Sequence, residues 1–322
     1  MTANVQPDHV RVAAVQAAPI FLDRRATTDK AVQLIERASA GGAGFVVFPE
    51  AFVPGYPEWV WRLRPWEDRA TVLQGRLFDQ SVIIGSRATE VIASAARQAA
   101  VYVSIGVNER GERSTAMFST QLLFAPDGTL LARHRKMVPT GAERLVWSMG
   151  DGSGLEVLAT PLGRLGCLTS WENYMPLARA ALFAQGVDLY LAPTWDSSDV
   201  WPATLRHIAK EGRVYVVGVN SILRGSNIPE DVPFRADLYG GEDDWLALGN
   251  SAIVGPEGDV LAGPLVREEG IVYADIDIQD ARTARHQFDP FGHYARPDIL
   301  RLFVDTQARS PVSFATGTTA AD

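Results

Sequence analysis

The chain has 322 residues, a net charge of −8, and a composition that is 47% hydrophobic and 21% charged. It can therefore bury a large core, and its negative charge argues against nucleic acid or an anionic membrane as the main partner. The one cysteine cannot form an internal disulfide, and no apolar run reaches the ~20 residues needed to span a bilayer. The first residues, MTANVQPDHV, lack the basic and apolar parts of a signal peptide, so we expect a cytoplasmic protein.

Strands and helices are predicted to alternate in the first part of the chain. Residues 10–17 and 45–48 are short apolar runs, which are typical of strands buried on both faces. Residues 23–40 lie between them and have the apolar spacing of a helix. The apolar side chains on one face of that helix are Ala31, Leu34, Ile35 and Ala38. The order strand, helix, strand indicates a layered α/β protein.

The pattern continues through the middle of the chain. Residues 51–88 are aromatic and irregular, and residues 88–100 form a predicted helix that leads into a strand at 101–107. Pro126-Asp127-Gly128 is typical of a hairpin turn between two strands. The segment LGRLGCLTSWENYMP, residues 162–176, begins as a buried strand and ends in a polar, aromatic turn. Strand ends of this kind are where α/β proteins place their chemistry.

The second half of the chain contains further units of both kinds. In chain order they are a helix at 177–184, a strand at 187–191, a helix at 204–212, a strand at 214–220, a hairpin at 255–258 and a strand at 270–277. Residues 224–247 are expected to be a loop, and the last residues, SFATGTTAAD, to be disordered. Because no Gly/Ser/Pro-rich linker divides the chain, we predict one domain over residues 1–322, with a C-terminal tail from about residue 289.

Three candidate residues for chemistry share one setting, because each follows the end of an apolar strand. Glu50 ends FVVFPE, Lys136 ends LLARHRK, and Ser170 ends LGCLTS. A charged residue buried alone at such a place would cost several kcal/mol, so it is seldom there for packing. The alternative is a structural Lys–Glu ion pair with no catalytic duty, and the spacing alone leaves both interpretations open.

Three longer segments carry a resemblance to a known family. FPEAFVPGYP, HRKMVPTGAERLVWSMGDG and GRLGCLTSWENYMPLAR resemble, in this order, the three signature segments of the nitrilase family within the carbon–nitrogen hydrolase superfamily. The WEN form is closer to true nitrilases than to the amidase branches. The resemblance implies an α/β fold of the four-layer α-β-β-α sandwich type.

The resemblance also assigns roles to residues of this sequence. Glu50 matches the general base, Lys136 the lysine that stabilises the tetrahedral intermediate, and Glu143 a second glutamate that positions the reacting groups. The implied reaction hydrolyses a nitrile to a carboxylic acid and ammonia through a covalent thioimidate and acyl-enzyme. It needs no cofactor, and no His/Cys cluster in the sequence suggests a metal.

The family's nucleophile is the cysteine directly before WEN, and this position is Ser170 here. Cys167 is three residues away, so in a strand it would point to the opposite face, and we expect it to be a packing residue. A serine hydroxyl lacks the thiolate fraction of a cysteine at neutral pH. We therefore interpret the chain as an inactivated Cys→Ser form, and a naturally non-catalytic homologue is the alternative.

Aromatic residues near the motifs are candidates for the substrate pocket. Tyr56, Trp171 and Trp195 are predicted as its walls, because aromatic side chains often line small-molecule sites. Gly141-Ala142 departs from the bulkier His-Val pair of many relatives and predicts a wider pocket mouth or a looser Glu143.

The resemblance leaves two other functions open and implies self-association. A related amidase or a cyanide-hydrolysing enzyme is one alternative, and a non-catalytic protein that binds ligand or builds filaments is the other. Relatives form dimers and larger spirals, and the matching segments here are residues 177–185, 224–245 and 288–304. Leu177, Leu182 and Phe183 are expected to provide apolar surface for it. The expected partners are thus a nitrile and further copies of this chain.

Overall fold

The computed structural model describes residues 9–241 and 243–309. The expectations for the first eight residues and for the final SFATGTTAAD concern residues outside this range. In the described part, the strands in chain order are β1 (His9–Gln16), β2 (Phe45–Val47), β3 (Tyr102–Arg110), β4 (Met117–Phe124), β5 (Leu130–Arg135), β6 (Leu158–Thr160), β7 (Gly163–Cys167), β8 (Leu189–Thr194), β9 (Tyr215–Asn220), β10 (Ile222–Arg224), β11 (Trp245–Val254), β12 (Val260–Val266) and β13 (Gly270–Asp277).

The strands form two mixed sheets. The first has the order β13-β1-β2-β3-β4-β5, and the second has the order β10-β11-β9-β8-β7-β6, with β12 paired to β11. Strands β1, β2 and β3 run parallel, as do β7, β8 and β9. The last strand of the first sheet comes from late in the chain, because β13 pairs antiparallel with β1 and places His9 opposite Asp277. This pairing joins the first strand of the fold to its last strand.

Helices cover the outer face of each sheet. The helices are α1 (Arg24–Ala40), α2 (Asp68–Gln80), α3 (Arg87–Ala99), α4 (Pro176–Phe183), α5 (Trp201–Gly212), α6 (Arg235–Leu238) and α7 (Ile278–Arg285). Helices α1 and α3 pack on the first sheet, and α4 and α5 pack on the second. A third apolar cluster fills the space between the sheets, with side chains from both of them. The predicted four-layer α-β-β-α sandwich is therefore confirmed.

Local signals explain most elements that the sequence predicted. The side chain of Asp23 accepts a hydrogen bond from Ala26 N and caps α1, and both predicted hairpins form. Leu34, expected on the buried face of α1, is only half-buried. Helix α2 lies within the stretch predicted to be irregular. No side chain caps its N-terminus, and it buries only Leu73 and Leu77, so its amphipathic signal is short.

Two further findings describe the residues that the structure covers. Over residues 9–241 and 243–309, no helix is long and apolar enough to cross a membrane. Within the same ranges, no group of three or more His, Cys, Asp or Glu side chains is arranged to hold a metal ion.

Candidate active site

Glu50 lies just beyond the end of β2, in a turn that β3 holds in place. The backbone passes so close to β3 that a Cβ on Gly106 would lie 2.2 Å from Pro49 O. Val53 N then donates to Gly106 O at 3.0 Å, which fixes the end of the turn. Only a glycine at position 106 allows the Pro49–Glu50 backbone to lie this close to β3. The Glu50 carboxylate is buried in this turn.

Lys136 directly follows β5 and is fully buried. Its Nζ donates to Glu50 Oε1 at 2.8 Å and to Glu143 Oε2 at 2.7 Å. Ser119 lies opposite Lys136 in the β4–β5 hairpin, and its hydroxyl donates to Glu50 Oε1 at 3.1 Å. Among the described residues nothing donates to Glu50 Oε2, although this atom is buried. Two carboxylates and one ammonium thus share a buried site, and one carboxylate oxygen has no donor among the described residues.

Glu143 lies in a 3₁₀ turn, Gly141–Leu145, that follows the lysine. Its Oε2 also accepts from Thr140 N at 2.5 Å, and its Oε1 accepts from the Tyr56 hydroxyl at 2.6 Å. Every oxygen of this carboxylate therefore has a partner, in contrast to Glu50. These bonds hold the Glu143 carboxylate in one orientation, which suits a positioning group more than a proton acceptor.

The burial of the cluster changes how its groups titrate. Burial is the main cause that raises the pKa of Glu50 to about 7; repulsion by Glu143 adds to it, and Lys136 and Ser119 oppose it. Burial disfavours the charge on Lys136, but Glu50 and Glu143 outweigh it and raise the pKa above that of an ordinary lysine. A carboxyl group whose pKa is about 7 is suited to general base catalysis near neutral pH.

Position 170 lies three residues beyond the end of β7, a strand of the second sheet. Ser170 is 3% exposed and has a φ of 54°, the left-handed conformation that non-glycine residues seldom adopt. Side-chain hydrogen bonds stabilise the turn: the Asn173 amide donates to Ser170 O at 2.8 Å and to Leu168 O at 2.9 Å. The Tyr190 hydroxyl in turn donates to Asn173 Oδ1 at 2.7 Å. The chain thus holds Ser170 in a sharp, rigid turn.

Glu172 connects this turn to the strand that carries the lysine. One carboxylate oxygen accepts from Thr169 N at 2.8 Å, and the other accepts from Met137 N at 2.7 Å. The residue before position 170 and the residue after Lys136 are therefore bonded to one buried side chain. The chain neighbours of Lys136 and Ser170 are brought together in this way.

Cys167 has a different environment from Ser170. It ends β7, where it lies beside Leu191 of β8 and packs against the apolar cluster between the sheets. Burial, more than the nearby negative charges of Glu172 and Glu50, raises the pKa of its thiol. A thiol that is held protonated in an apolar setting is a poor nucleophile.

The three predicted wall residues have different positions. Tyr56 is buried, donates to Glu143, and stacks on Trp195 with the ring centroids 4.4 Å apart and the planes at 4°. Trp195 directly follows β8 and is half-buried. Trp171 is 51% exposed, and its indole N–H donates to Asp196 at 3.0 Å. Tyr56 therefore contacts the carboxylate cluster directly, Trp195 packs on Tyr56, and Trp171 lies at the surface.

Comparison with known proteins shows which family this chain belongs to. Residues 11–286 match the carbon–nitrogen hydrolase family. An aliphatic nitrilase of Sinorhizobium fredii is 43% identical over 94% of this chain and 97% of its own length. The chain belongs to the nitrilase family of carbon–nitrogen hydrolases. A bifunctional nitrilase/nitrile hydratase of Nicotiana tabacum is 39% identical over 100% of this chain and 93% of its own length.

Solved structures of this superfamily share the fold of this nitrilase-family chain. A carbon–nitrogen hydrolase of Helicobacter pylori covers 91% of this chain, and 97% of its own chain is matched, with a TM-score of 0.72 and 20% identity. An amidase of Nesterenkonia matches 86% of this chain and 96% of its own, with a TM-score of 0.64 and 24% identity. Two predictions are therefore confirmed: that the chain belongs to the nitrilase family, and that it is a hydrolase acting on carbon–nitrogen bonds.

Sequence reasoning missed several residues of this nitrilase-type site. Ser119 was not singled out, although the predicted hairpin turn at 126–128 sets the register that puts it opposite Lys136. Tyr56 was expected only as a wall, whereas it also donates to Glu143. Glu172 was recognised only as part of the WEN motif. The T-x-x-E spacing of Thr169 and Glu172 is a capping-box signal for the bond to Thr169 N, but no local signal predicts the bond to Met137 N.

Proposed function

We propose that this protein is built to hydrolyse a nitrile to a carboxylic acid and ammonia, with the nucleophile at position 170. The observation that carries the proposal is the buried Glu50–Lys136–Glu143 cluster, bonded through Glu172 to the turn that presents position 170. The printed activity of the Sinorhizobium relative, an aliphatic nitrilase, supports the choice of a nitrile.

The first step needs a thiolate at position 170. Glu50 takes the thiol proton through its free Oε2, the sulfur attacks the nitrile carbon, and the proton passes to the nitrile nitrogen to give a thioimidate. The ammonium of Lys136 has three N–H donors, and two of them bind carboxylates. The third is available for the negative charge that develops on nitrogen.

Two molecules of water complete the reaction. Glu50 removes a proton from the first, the hydroxyl adds to the thioimidate carbon, and protonation of the nitrogen lets ammonia leave as the C–N bond breaks. The resulting thioester is cleaved by a second water in the same way, which releases the carboxylic acid and returns the proton to sulfur. A pKa of Glu50 near 7 suits a group that alternately accepts and returns a proton.

Ser170 interrupts this cycle at its first step. An alcohol has no thiolate-like fraction at neutral pH, and the described residues place no histidine within hydrogen-bond distance of its hydroxyl. We propose that the chain as it stands turns nitriles over negligibly and that Ser170→Cys restores the reaction. Serine is nearly isosteric with cysteine, so the surrounding geometry supports either residue.

Ammonia release from a panel of aliphatic and aryl nitriles tests this proposal. The given chain, the Ser170→Cys variant and the double variant Ser170→Cys/Cys167→Ala are compared. We expect activity in the second and third only. A folded but inactive Ser170→Cys variant would overturn the proposal and favour a non-catalytic, ligand-binding homologue.

The amide is a second candidate product. The Nicotiana relative is named as both a nitrilase and a nitrile hydratase, which favours this possibility. The tetrahedral intermediate gives the amide when its C–S bond breaks in place of its C–N bond. The ratio of amide to acid, measured by chromatography of the Ser170→Cys reaction, decides between the two products. Turnover of the matching amides or of cyanide in preference to nitriles would favour the amidase or cyanide-hydrolase alternative.

We also propose that the protein self-associates and resides in the cytoplasm. The support for self-association lies in exposed apolar side chains: Leu177 is 67% exposed, and the tail beyond the matched family region exposes Tyr294, Ile299, Leu300 and Phe303. The expectation that Leu182 and Phe183 add to this surface was wrong, because both face the second sheet and are buried. Light scattering should give a mass well above the 35.0 kDa of one chain, and a monomer at micromolar concentration would contradict the proposal.

A further inference from the structure

A buried histidine–glutamate pair lies next to the candidate site but outside the catalytic cluster. His134 of β5 points its Nε2 at Glu172 Oε2, 2.8 Å away, and its Nδ1 at Gly154 O, 3.0 Å away. The side chains are 4% and 0% exposed, so bulk solvent reaches neither of them. Neither side chain has a role in the steps proposed above.

The hydrogen bonds fix the protonation of the histidine. A carbonyl oxygen can only accept, so His134 Nδ1 carries a proton. Glu172 Oε2 already accepts from Thr169 N, and its other oxygen accepts from Met137 N. Two backbone donors favour the ionised carboxylate, which then requires a second proton on the histidine, at Nε2. The pair is thus an imidazolium and a carboxylate.

The electrostatic balance agrees with this assignment. Burial alone would lower the pKa of His134, but the charge of Glu172 and its hydrogen bond raise it above the usual value. Burial alone would raise the pKa of Glu172, but His134 and the two backbone N–H groups lower it. Each partner keeps the other charged.

The surroundings of the histidine leave it little freedom. A Cβ on Gly154 would lie 2.5 Å from His134 Nδ1, so the 3₁₀ turn Gly152–Gly154 approaches the ring as closely as only glycine permits. The neighbouring Arg133 and Arg135 side chains are both bonded to Glu109, on the other face of β5. They therefore do not compete with the histidine for Glu172.

We propose that His134 and Glu172 are a positioning pair that sets the distance between Lys136 and the nucleophile at position 170. The Glu172 carboxylate bonds the residue after the lysine and the residue before position 170, and the imidazolium holds that carboxylate ionised and oriented. The pair acts through backbone and touches no substrate. The inference deepens the proposed function and rests on it for its catalytic consequence, but the ionic state of the pair does not depend on it.

The kinetic test uses Glu172→Gln in the Ser170→Cys background. A glutamine offers one acceptor oxygen where the carboxylate offered two, so a backbone N–H or the histidine loses its partner. We expect kcat to fall about 10–100-fold with KM changed less than about twofold, as for a displacement of reacting groups by a fraction of an ångström to 1 Å. Glu257→Gln, at an exposed ion pair with Lys210, is the matched control and should leave kcat unchanged. An unchanged kcat in Glu172→Gln would overturn the proposal.

The spectroscopic test needs no turnover. In the given chain, with isotope-labelled imidazole nitrogens and His134→Gln used for assignment, His134 should show two similar, imidazolium-type nitrogen shifts at neutral pH. One pyrrole-type and one pyridine-type shift would overturn the proposal even if Glu172→Gln failed to fold. Iodoacetamide should alkylate the thiol at position 170 more slowly in Ser170→Cys/Glu172→Gln than in Ser170→Cys. This difference is expected whether or not either chain turns nitriles over. Suppose that Ser170→Cys is inactive, that His134 is an imidazolium and that Glu172→Gln slows the alkylation. The nitrilase function would then be refuted, and the positioning pair would stand.

Discussion

Lys136→Met is the substitution whose effect the geometry determines most fully. It removes the ammonium that lies between two buried carboxylates and replaces it with an apolar side chain of similar length. The oxygens of Glu50 and Glu143 that it held lie at most about 5.5 Å apart, because they are 2.8 Å and 2.7 Å from the same Nζ. Two unpaired charges at that distance repel by about 3 kcal/mol at an effective dielectric constant of about 20.

The expected loss in the free energy of unfolding is about 3–5 kcal/mol, the usual cost of removing one partner from a buried ion pair. The loss depends on pH with a definite sign. Without the lysine, the pKa of Glu50 rises further above the ordinary carboxyl value, so the folded state binds a proton that the unfolded state has released. Stability is then retained at acid pH and lost as the pH rises through the folded-state pKa.

Urea unfolding of the given chain and of Lys136→Met, at about pH 5 and about pH 8, measures this difference. The matched control is Lys210→Met, which removes an exposed partner of Glu257 and should cost less than about 1 kcal/mol at either pH. A deficit below about 1 kcal/mol at pH 8, or an equal deficit at both pH values, would refute the account of the buried cluster.

Three further predictions concern Glu50 as the general base, Cys167 as a packing residue, and the close contact between Gly106 and the backbone of Pro49. In the Ser170→Cys variant, kcat/KM should rise with pH through about 7, because burial raises the pKa of Glu50 to about 7 and the ionised form is the base; a profile that is flat from about pH 6 to 8 would contradict this role. Cys167→Ala in the same background should keep most of the activity and cost about 1–2 kcal/mol in the free energy of unfolding, measured in urea, and its inactivation would show that the thiol at 167 is required. Gly106→Val should lose more than about 3 kcal/mol or fail to fold, since its Cβ would meet a backbone carbonyl at 2.2 Å, whereas Gly75→Ala, with open space around it, should be neutral or stabilising in the same unfolding assay.

The sequence predicted those parts of the fold that short-range signals determine. Apolar runs located the central strands, and turn residues located both hairpins. Helix α2 was missed because its two buried leucines are surrounded by aromatic and charged residues that obscure the helical spacing. The single-domain interpretation of the whole chain stays a prediction.

The site could be predicted only in part, for a physical reason. The resemblance singled out Glu50, Lys136, Glu143 and position 170 as candidates. The bonds of Lys136 to the two glutamates join residues up to 86 positions apart and arise only when the strands are paired. The Tyr56 bond to Glu143 and the Glu172 bond to Met137 depend on the same packing. Side-chain partners of this kind leave no periodic or local mark in a sequence.

The central claim is that the residue at position 170 is the nucleophile. Acid-quenched Ser170→Cys, after incubation with a nitrile, should carry an added mass, and fragment spectra measure directly which residue holds it. We predict the adduct on the thiol introduced at position 170, with Cys167 unmodified and with no adduct on the given chain. An adduct on Cys167, or turnover by the given chain that Cys167→Ala abolishes, would contradict the account.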